Sequence, residues 1–527
     1  MIIFRRILRV NLIKYKKKWI ISVCLGLVTL IFLAACQNTN SKENEKNASS
    51  KLSVVTTFYP VYEFTKNVVG EAGEVSLLVP AGTEPHDYEP SAKDMLKINQ
   101  SDLFVYHNDN METWVGKLKN TLGEKSPKII EGTREIVLLP GSDDEHEHSE
   151  NESDHHHEYD PHTWLSPKMA IKEVKIIEAQ LKKLYPKQAN LFSENAEKYV
   201  KKLSKLDQKY SEELKDAKQK KQKNFVTQHA AFRYLALDYG LNQVSIAGLN
   251  PDKEPSAKRL GELKKYVEAN SIQYIYFEKN ANDKFAKTLA KEAKVNVEVL
   301  NPLESLTKKE LSEGGNYIKV MEQNLIALKK TTETEGKDIQ AEEKSQEVKT
   351  VANGYFSDAD VKNRSLSDYS GNWQSVYPLL EKGTLDQVFE LKSKINKEMS
   401  AADYKDYYTK GYKTDVDQIL IDDKTMSFVK NGVKESYTYQ YKGFKILNYS
   451  KGNRGVRYLF ESNDPKAGEF KYVQFSDHNI SPVKTSHFHI FHGGESQEKV
   501  LAELENWPTY YPKKLTGFEI AQEMIAH

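Results

Sequence analysis

The reading of this chain turns on one stretch, Val75-Ser76-Leu77-Leu78-Val79-Pro80-Ala81-Gly82-Thr83-Glu84-Pro85-His86-Asp87-Tyr88-Glu89-Pro90-Ser91-Ala92-Lys93. The apolar run Val75–Val79, closed by Pro80, predicts a buried strand. Pro90 disfavours helix upstream of it, and the Ser91 hydroxyl can accept from the N–H groups of a first turn, so a helix is predicted over Ser91–Asn99. His86 falls between the two, past the carboxyl end of the strand, where open α/β sheets bind their ligands. The pentapeptide Glu89–Lys93 returns as Glu254-Pro255-Ser256-Ala257-Lys258, again between an apolar strand and an amphipathic helix. Two related lobes are the natural reading.

The alternation extends outward from both copies. Strands are predicted at Ser53–Thr57, Leu103–Tyr106, Asn224–Thr227, Val244–Ile246, Ile272–Phe277 and Val295–Leu300, with helix near Val61–Val69. Such alternation argues for α/β lobes with mainly parallel strands. Between them, residues 186–223 are rich in Lys and Glu, with Tyr199, Leu203, Leu206 and Tyr210 at helical spacing. The expected layout is therefore a two-lobe α/β unit over 52–330, its lobes at about 52–185 and 224–330, joined by a long rigid helix. Residues 331–352 are polar and read as a linker. Over 353–527 the pattern changes to helical stretches within Leu379–Tyr412, then short alternating strands: Gln418–Ile421, Thr425–Val429, Ser436–Tyr441, Phe444–Tyr449, Gly455–Glu461, Glu469–Phe475 and His487–Phe491. Asn431-Gly432 is a strong hairpin signal. A mainly-β antiparallel barrel is expected there.

The first 35 residues read as an address. Arg5, Arg6, Arg9, Lys14, Lys16, Lys17 and Lys18 precede an uncharged run, Trp19 to Ala35, which fits a secretory signal better than a membrane span. Its ending, Leu33-Ala34-Ala35-Cys36, resembles the bacterial lipobox, which implies acylation of Cys36 and a polar tether over 36–51. The expected location is the extracellular face of the cell membrane of a Gram-positive bacterium, with the lipid anchor as the membrane contact. Cys24 leaves with the signal, and Cys36 is the second of two cysteines, so no disulfide framework remains. At 527 residues the chain is too long for a single core, and its formal net charge of +1 excludes a strongly basic nucleic-acid binder. Removing the signal takes away seven basic residues and no acids, which leaves the chain acidic.

The 14 histidines fall into sets. His86, His162 and His229 lie at turns or strand ends, and Glu278 ends the run Ile272-Gln273-Tyr274-Ile275-Tyr276-Phe277. If the lobes face each other these four could converge, and three imidazoles with one carboxylate suit four-coordinate Zn2+. The stretch 143–158 holds His146, His148, His155, His156 and His157 among acids, a composition expected to catch Zn2+ weakly and reversibly. In the barrel, His487 and His489 share a strand face, and His478 can reach that face from the preceding turn. His107 is read as a surface residue.

Residues 52–330 resemble the metal-binding (cluster A-I) solute-binding proteins of ABC importers. The resemblance rests on Glu84–Ser91, on Asp160-Pro161-His162-Thr163-Trp164-Leu165-Ser166-Pro167, on Gln228-His229-Ala230-Ala231-Phe232 and on Tyr276-Phe277-Glu278. It implies that His86, His162, His229 and Glu278 are the four metal ligands, with His at the third position favouring zinc over manganese. Residues 353–527 resemble the ZinT family of periplasmic zinc-binding proteins, with a calycin-like (lipocalin-like) barrel. That resemblance rests on Gly371-Asn372-Trp373-Gln374-Ser375-Val376-Tyr377, Ser476-Asp477-His478-Asn479-Ile480 and Ser486-His487-Phe488-His489-Ile490-Phe491. Together they imply a surface lipoprotein that carries one Zn2+ per domain and delivers it to an ABC permease with its cytoplasmic ATPase. Other zinc-scavenging surface proteins are further expected partners; nucleic acid is not. The competing readings are a manganese carrier, a surface adhesin and a zinc hydrolase in the C-terminal part. Against the last, the chain has neither a His-Glu-x-x-His motif nor a Gly-x-Ser-x-Gly elbow.

Overall fold

The computed structural model describes residues 51–123, 126–141, 159–214, 221–251, 253–278, 283–336, 350–449 and 452–526. The signal, Cys36, nearly all of the tether and the histidines His146, His148, His155, His156 and His157 lie outside the described residues. Among the described residues no helix is long and apolar enough to cross a membrane.

Two four-stranded sheets form the lobes. In the first, β1 (Leu52–Thr56), β2 (Gly73–Leu77), β3 (Leu103–Tyr106) and β4 (Lys128–Glu131) take the order β2-β1-β3-β4, with β3 parallel to both β1 and β4. In the second, β5 (Asn224–Thr227), β6 (Asn242–Ser245), β7 (Tyr274–Phe277) and β8 (Asn296–Val299) take the order β6-β5-β7-β8, all parallel. The repeated pentapeptide does the same work in both: Ser91 accepts from the Asp94 N–H and caps the helix Ala92–Asn99, while Ser256 accepts from the Arg259 N–H and caps Ala257–Ala269. Each sheet is packed by its own apolar cluster, around Val55, Phe104 and Ile98 in one and Val226, Ile275 and Leu263 in the other. Burial of such side chains stabilises by roughly 1.5–3 kcal/mol each.

The connecting helix runs over Ala189–Leu214, shorter than the predicted 186–223: Pro186–Gln188 forms a 3-10 turn and Lys221 pairs as a bridge with Glu335. Its buried stripe of Phe192, Ala196, Tyr199, Leu203, Leu206, Tyr210 and Leu214 follows the helical period. The helix engages both lobes. Asn195 donates to the Val68 carbonyl at 3.2 Å, and the Tyr210 hydroxyl donates to the Met321 carbonyl at 2.6 Å.

The C-terminal part is a closed antiparallel barrel of eight strands: β9 (Gly371–Ser375), β10 (Gln418–Ile421), β11 (Thr425–Lys430), β12 (Val433–Asn448), β13 (Arg454–Ser462), β14 (Tyr472–Ser476), β15 (Phe488–Gly493) and β16 (Thr509–Pro512). Asn431 and Gly432, with φ of 51° and 78°, make the two-residue turn between β11 and β12. The expected strands Ser436–Tyr441 and Phe444–Tyr449 are one long strand, β12, bent by a register shift between Tyr441 and Phe444. Trp373 is buried in the barrel core, edge-on to Phe488, and its indole N–H donates to the Tyr369 carbonyl at 2.9 Å. The helices Asp386–Ile395 and Gly517–Ala526 share a second core with the segment Ile136–Leu139 that follows β4.

Candidate metal centres

Among the described residues, two groups of metal-capable side chains bring their ligand atoms to within 4.8 Å of one another: His86, His162, His229 with Glu304, and His478, His487 with His489.

The first cluster is assembled from turns beyond strand ends in both lobes. His86 comes from the loop after β2, His162 from a turn ahead of the helix Pro167–Leu184, His229 from the loop after β5, and Glu304 from the loop after β8. The Nε2 atoms of His86 and His162 are 3.1 Å apart, and those of His229 and His162 are 3.3 Å apart. Glu304 Oε1 stands 3.4, 3.5 and 3.3 Å from the Nε2 atoms of His86, His162 and His229. A regular tetrahedron with edges of about 3.3 Å has its centre about 2.0 Å from each corner, which is the bond length of zinc to nitrogen or carboxylate oxygen.

Glu278 is not the fourth corner. Its Oε1 lies 2.6 Å from His229 Nδ1, on the far side of the ring from the cluster, and its backbone ends β7 rather than reaching over the centre. The corner is filled from the neighbouring strand, where Asn301-Pro302-Leu303 carries Glu304 inward. Leu303 takes a left-handed φ of 59°, and Trp164 Nε1 donates to the Pro302 carbonyl at 2.8 Å to pin that loop beside the His162 turn. Glu304 lies in the loop after β8, five residues beyond Val299, whereas Glu278 directly follows β7, and strand-end position alone does not choose between them. Asp160, inside the quoted motif, performs for His162 what Glu278 performs for His229, with Oδ1 at 2.8 Å from Nδ1 and 3.0 Å from the His162 N–H. Carboxylates on Nδ1 fix the tautomer that leaves Nε2 as the ligand atom and raise its basicity.

Charges in this pocket respond to one another. Burial opposes protonation of His229, yet Glu278 and Glu304 outweigh it and raise its pKa well above the usual imidazole value. Burial would raise Glu304, but the three imidazoles around it hold it well below the carboxylate range. His86 is lowered, chiefly by burial. Glu84, whose Oε1 accepts from the His86 N–H at 3.0 Å, is pushed up by burial and by the Glu304 charge.

His107, expected at the surface, is fully buried. Its Nε2 donates to the Pro161 carbonyl at 2.7 Å, one residue from His162, and its Nδ1 faces Glu173 Oε2 at 3.6 Å. Burial takes His107 down to about 3 and Glu173 up to about 8, so both are neutral near pH 7. The expectation failed because β3 ends under the His162 turn rather than at the rim.

The second cluster sits at one end of the barrel. His489 on β15 pairs with Ser476 of β14 and Thr509 of β16, which places its ring beside the turn carrying His478. Ring centroids of His478 and His487, His478 and His489, and His487 and His489 are 5.8, 5.7 and 6.0 Å apart. The Thr509 hydroxyl donates to the Trp507 carbonyl at 3.0 Å and therefore accepts from His489 Nδ1 at 2.7 Å, making Nε2 the ligand-type nitrogen. His487 stacks on Tyr511 at 4.9 Å. His478 has a left-handed φ of 62°, and its neighbour Asp477 is held by Arg364, one buried guanidinium nitrogen of which donates to both carboxylate oxygens, at 2.6 and 2.8 Å.

A two-lobed α/β unit with a ligand cluster between its sheets' loops, followed by a histidine-bearing eight-stranded barrel, defines a metal-binding solute-binding protein of composite build. Residues 54–331 match the family model described as zinc-uptake complex component A, periplasmic, and residues 347–527 match ZinT (YodA), periplasmic lipocalin-like zinc-recruitment. The chain is 59% identical over 508 residues to the zinc-binding lipoprotein AdcA of Streptococcus pneumoniae (strain ATCC BAA-255 / R6), covering 96% of this chain and 99% of the relative. It is 55% identical over 525 residues to the zinc-binding protein AdcA of Streptococcus pyogenes serotype M18, covering 97% and 100%. The crystal structure of Zn(II)-bound AdcA from Streptococcus pneumoniae superposes with a TM-score of 0.82 at 59% identity, covering 91% of this chain and all of that one. The chain belongs to the AdcA family, in which a ZnuA-type unit is fused to a ZinT-type barrel.

Proposed function

We propose that the chain is the extracellular zinc-capturing component of an ABC importer. It binds Zn2+ through His86, His162, His229 and Glu304 and presents the ion to a membrane permease driven by a cytoplasmic ATPase. The observation that carries this reading is the four-cornered cluster, which has the donor number, the imidazole-rich chemistry and the dimensions of a zinc site. The naming of its relatives as zinc-binding lipoproteins supports it. The barrel takes a second Zn2+ at His478, His487 and His489, with a fourth position for water or a donated group, and scavenges the ion when it is scarce. Cys36 anchors the chain to the outer face of the membrane through its acylated thiol, followed by the tether. The 52–330 and 353–527 parts act as two zinc-binding domains, and His146, His148, His155, His156 and His157 gather ions beside His162.

Metal analysis of the full chain tests the proposal. The wild type is expected to carry two zinc ions, and His86→Ala and His487→Ala one each, with Mn2+ unable to displace Zn2+ from the first site. Two zinc ions retained in either variant, or displacement by Mn2+, would overturn it.

A further inference from the structure

The segment Glu135–Pro140 leads from β4 toward the turn that carries His162, and side chains from the barrel's helices grip it. Gln522, on the helix Gly517–Ala526, accepts from the Leu138 N–H at 2.8 Å and donates to the Leu138 carbonyl at 2.9 Å, as a paired strand would. Gln387, on the helix Asp386–Ile395, donates to the Glu135 carbonyl at 2.8 Å. From the held segment the bonds run through Tyr234 to the backbone of Asp160. Leu139 N–H donates to the Tyr234 hydroxyl at 2.8 Å, that hydroxyl donates to the Asp160 carbonyl at 2.8 Å, and Asp160 N–H returns to the Leu139 carbonyl at 2.8 Å. Asp160 then holds the His162 ring through Nδ1.

A separate line reaches the other end of the same turn. Lys394, also on Asp386–Ile395, donates to Asp238 Oδ1 at 2.7 Å, and Asp238 Oδ2 accepts from the hydroxyl of Ser166. Ser166 caps the helix Pro167–Leu184 and ends the turn that His162 begins. The two lines thus fix both ends of a five-residue turn, and both begin on helices that belong to the barrel part.

We infer that Gln522 and Lys394 are positioning residues for the first zinc site, through which the barrel part braces the His162 turn of the lobes. This rests on the reading of His162 as a zinc ligand. The two lines end on the backbone of Asp160, whose carboxylate orients the His162 ring, and on the Ser166 cap that closes the same turn. Ordering the turn before zinc arrives removes an entropy cost from binding, so the brace raises affinity without touching the ion. Reciprocity follows: zinc in the first site must tighten the contact with the barrel part by the same factor.

The test uses the full chain with His487→Ala and His489→Ala, so that binding reports the first site. Adding Gln522→Ala or Lys394→Met is expected to weaken Zn2+ binding roughly threefold to tenfold, below the roughly 10–100-fold typical of a residue bonded to the ligand itself. Loading with Co2+ should show a shifted visible d–d spectrum in both variants, a signature that loss of stability alone does not produce, and Lys394→Arg should restore it. Glu390→Gln, which removes a surface contact with Lys172 between the same parts, should leave affinity and spectrum unchanged. Parent-like affinity and spectrum in both Gln522→Ala and Lys394→Met would overturn the brace. His162→Ala in the same background separates the failures: if it retains first-site binding, the ligand reading falls and the brace with it.

Discussion

The two histidine clusters use the same side chain and differ in what stands behind it. In the lobes, His162 and His229 are fully buried, each with a carboxylate on Nδ1, and Glu304 completes the set. In the barrel, His478 is exposed, His489 is half-buried behind a threonine hydroxyl, and among the described residues no carboxylate joins the three rings. A carboxylate partner makes imidazole a stronger donor than a hydroxyl does. A buried four-donor set excludes water, whereas three rings at a barrel mouth leave room for exchange. The comparison makes the groups behind each ring, more than the ring itself, the expected determinant of how firmly a site holds an ion.

The largest effect that could break this contrast is at Glu304. Structural zinc in zinc-finger peptides is held by about 10–16 kcal/mol, and an even share among four donors is about 2.5–4 kcal/mol each. Glu304→Gln should weaken first-site binding by roughly 100- to 1,000-fold in a competition titration and leave the barrel unaffected; equal weakening at both sites would dissolve the distinction. Next come the orienting groups. Glu278→Gln should weaken the first site about 10–100-fold, and Thr509→Val the second site by less, since it removes a neutral partner. The reverse order would show that burial and not the partner's charge governs retention.

The smallest effect concerns stability of the metal-free chain. Burial lets Glu173 keep its proton up to about 8, against 4.5 for an ordinary glutamate carboxyl. The native state therefore holds a proton that the unfolded chain has lost, and stability declines as pH rises between those values. Glu173→Gln should remove that part of the decline, flattening the melting temperature between pH 6 and 8 by about 2–4 °C. An unchanged slope in thermal denaturation with chelator present would show that Glu173 is ionised in the fold.

The lobes were legible because parallel strands buried on both faces leave continuous apolar runs, and because the Ser91 and Ser256 caps announce the helices that follow. The three histidines of each cluster, which the fold brings together, were singled out chiefly by the family resemblances, with strand ends supporting His86 and His229 and strand parity supporting His487 and His489. The fourth corner was not. Glu278 and Glu304 both follow strands of one sheet, and the path of the Asn301–Leu303 loop, with its left-handed Leu303 and its bond from Trp164, is a tertiary feature that no sequence pattern announces. Strands β9 and β16 escaped notice because Gly371–Ser375 carries one large apolar residue, Trp373, and Thr509–Pro512 ends in proline, although both are needed to close the barrel. The grip on Leu138 is carried by backbone groups, and a hydrogen bond to a peptide leaves no trace in residue identity.

The 26-residue helix Ala189–Leu214, about 39 Å long at 1.5 Å per residue, packs against both lobes along one face and so works as a splint. Halves splinted in this way resist being levered apart, because separation would strip the apolar stripe from its seat. A frame held in this way makes individual turns, rather than whole lobes, the parts expected to move when an ion enters or leaves.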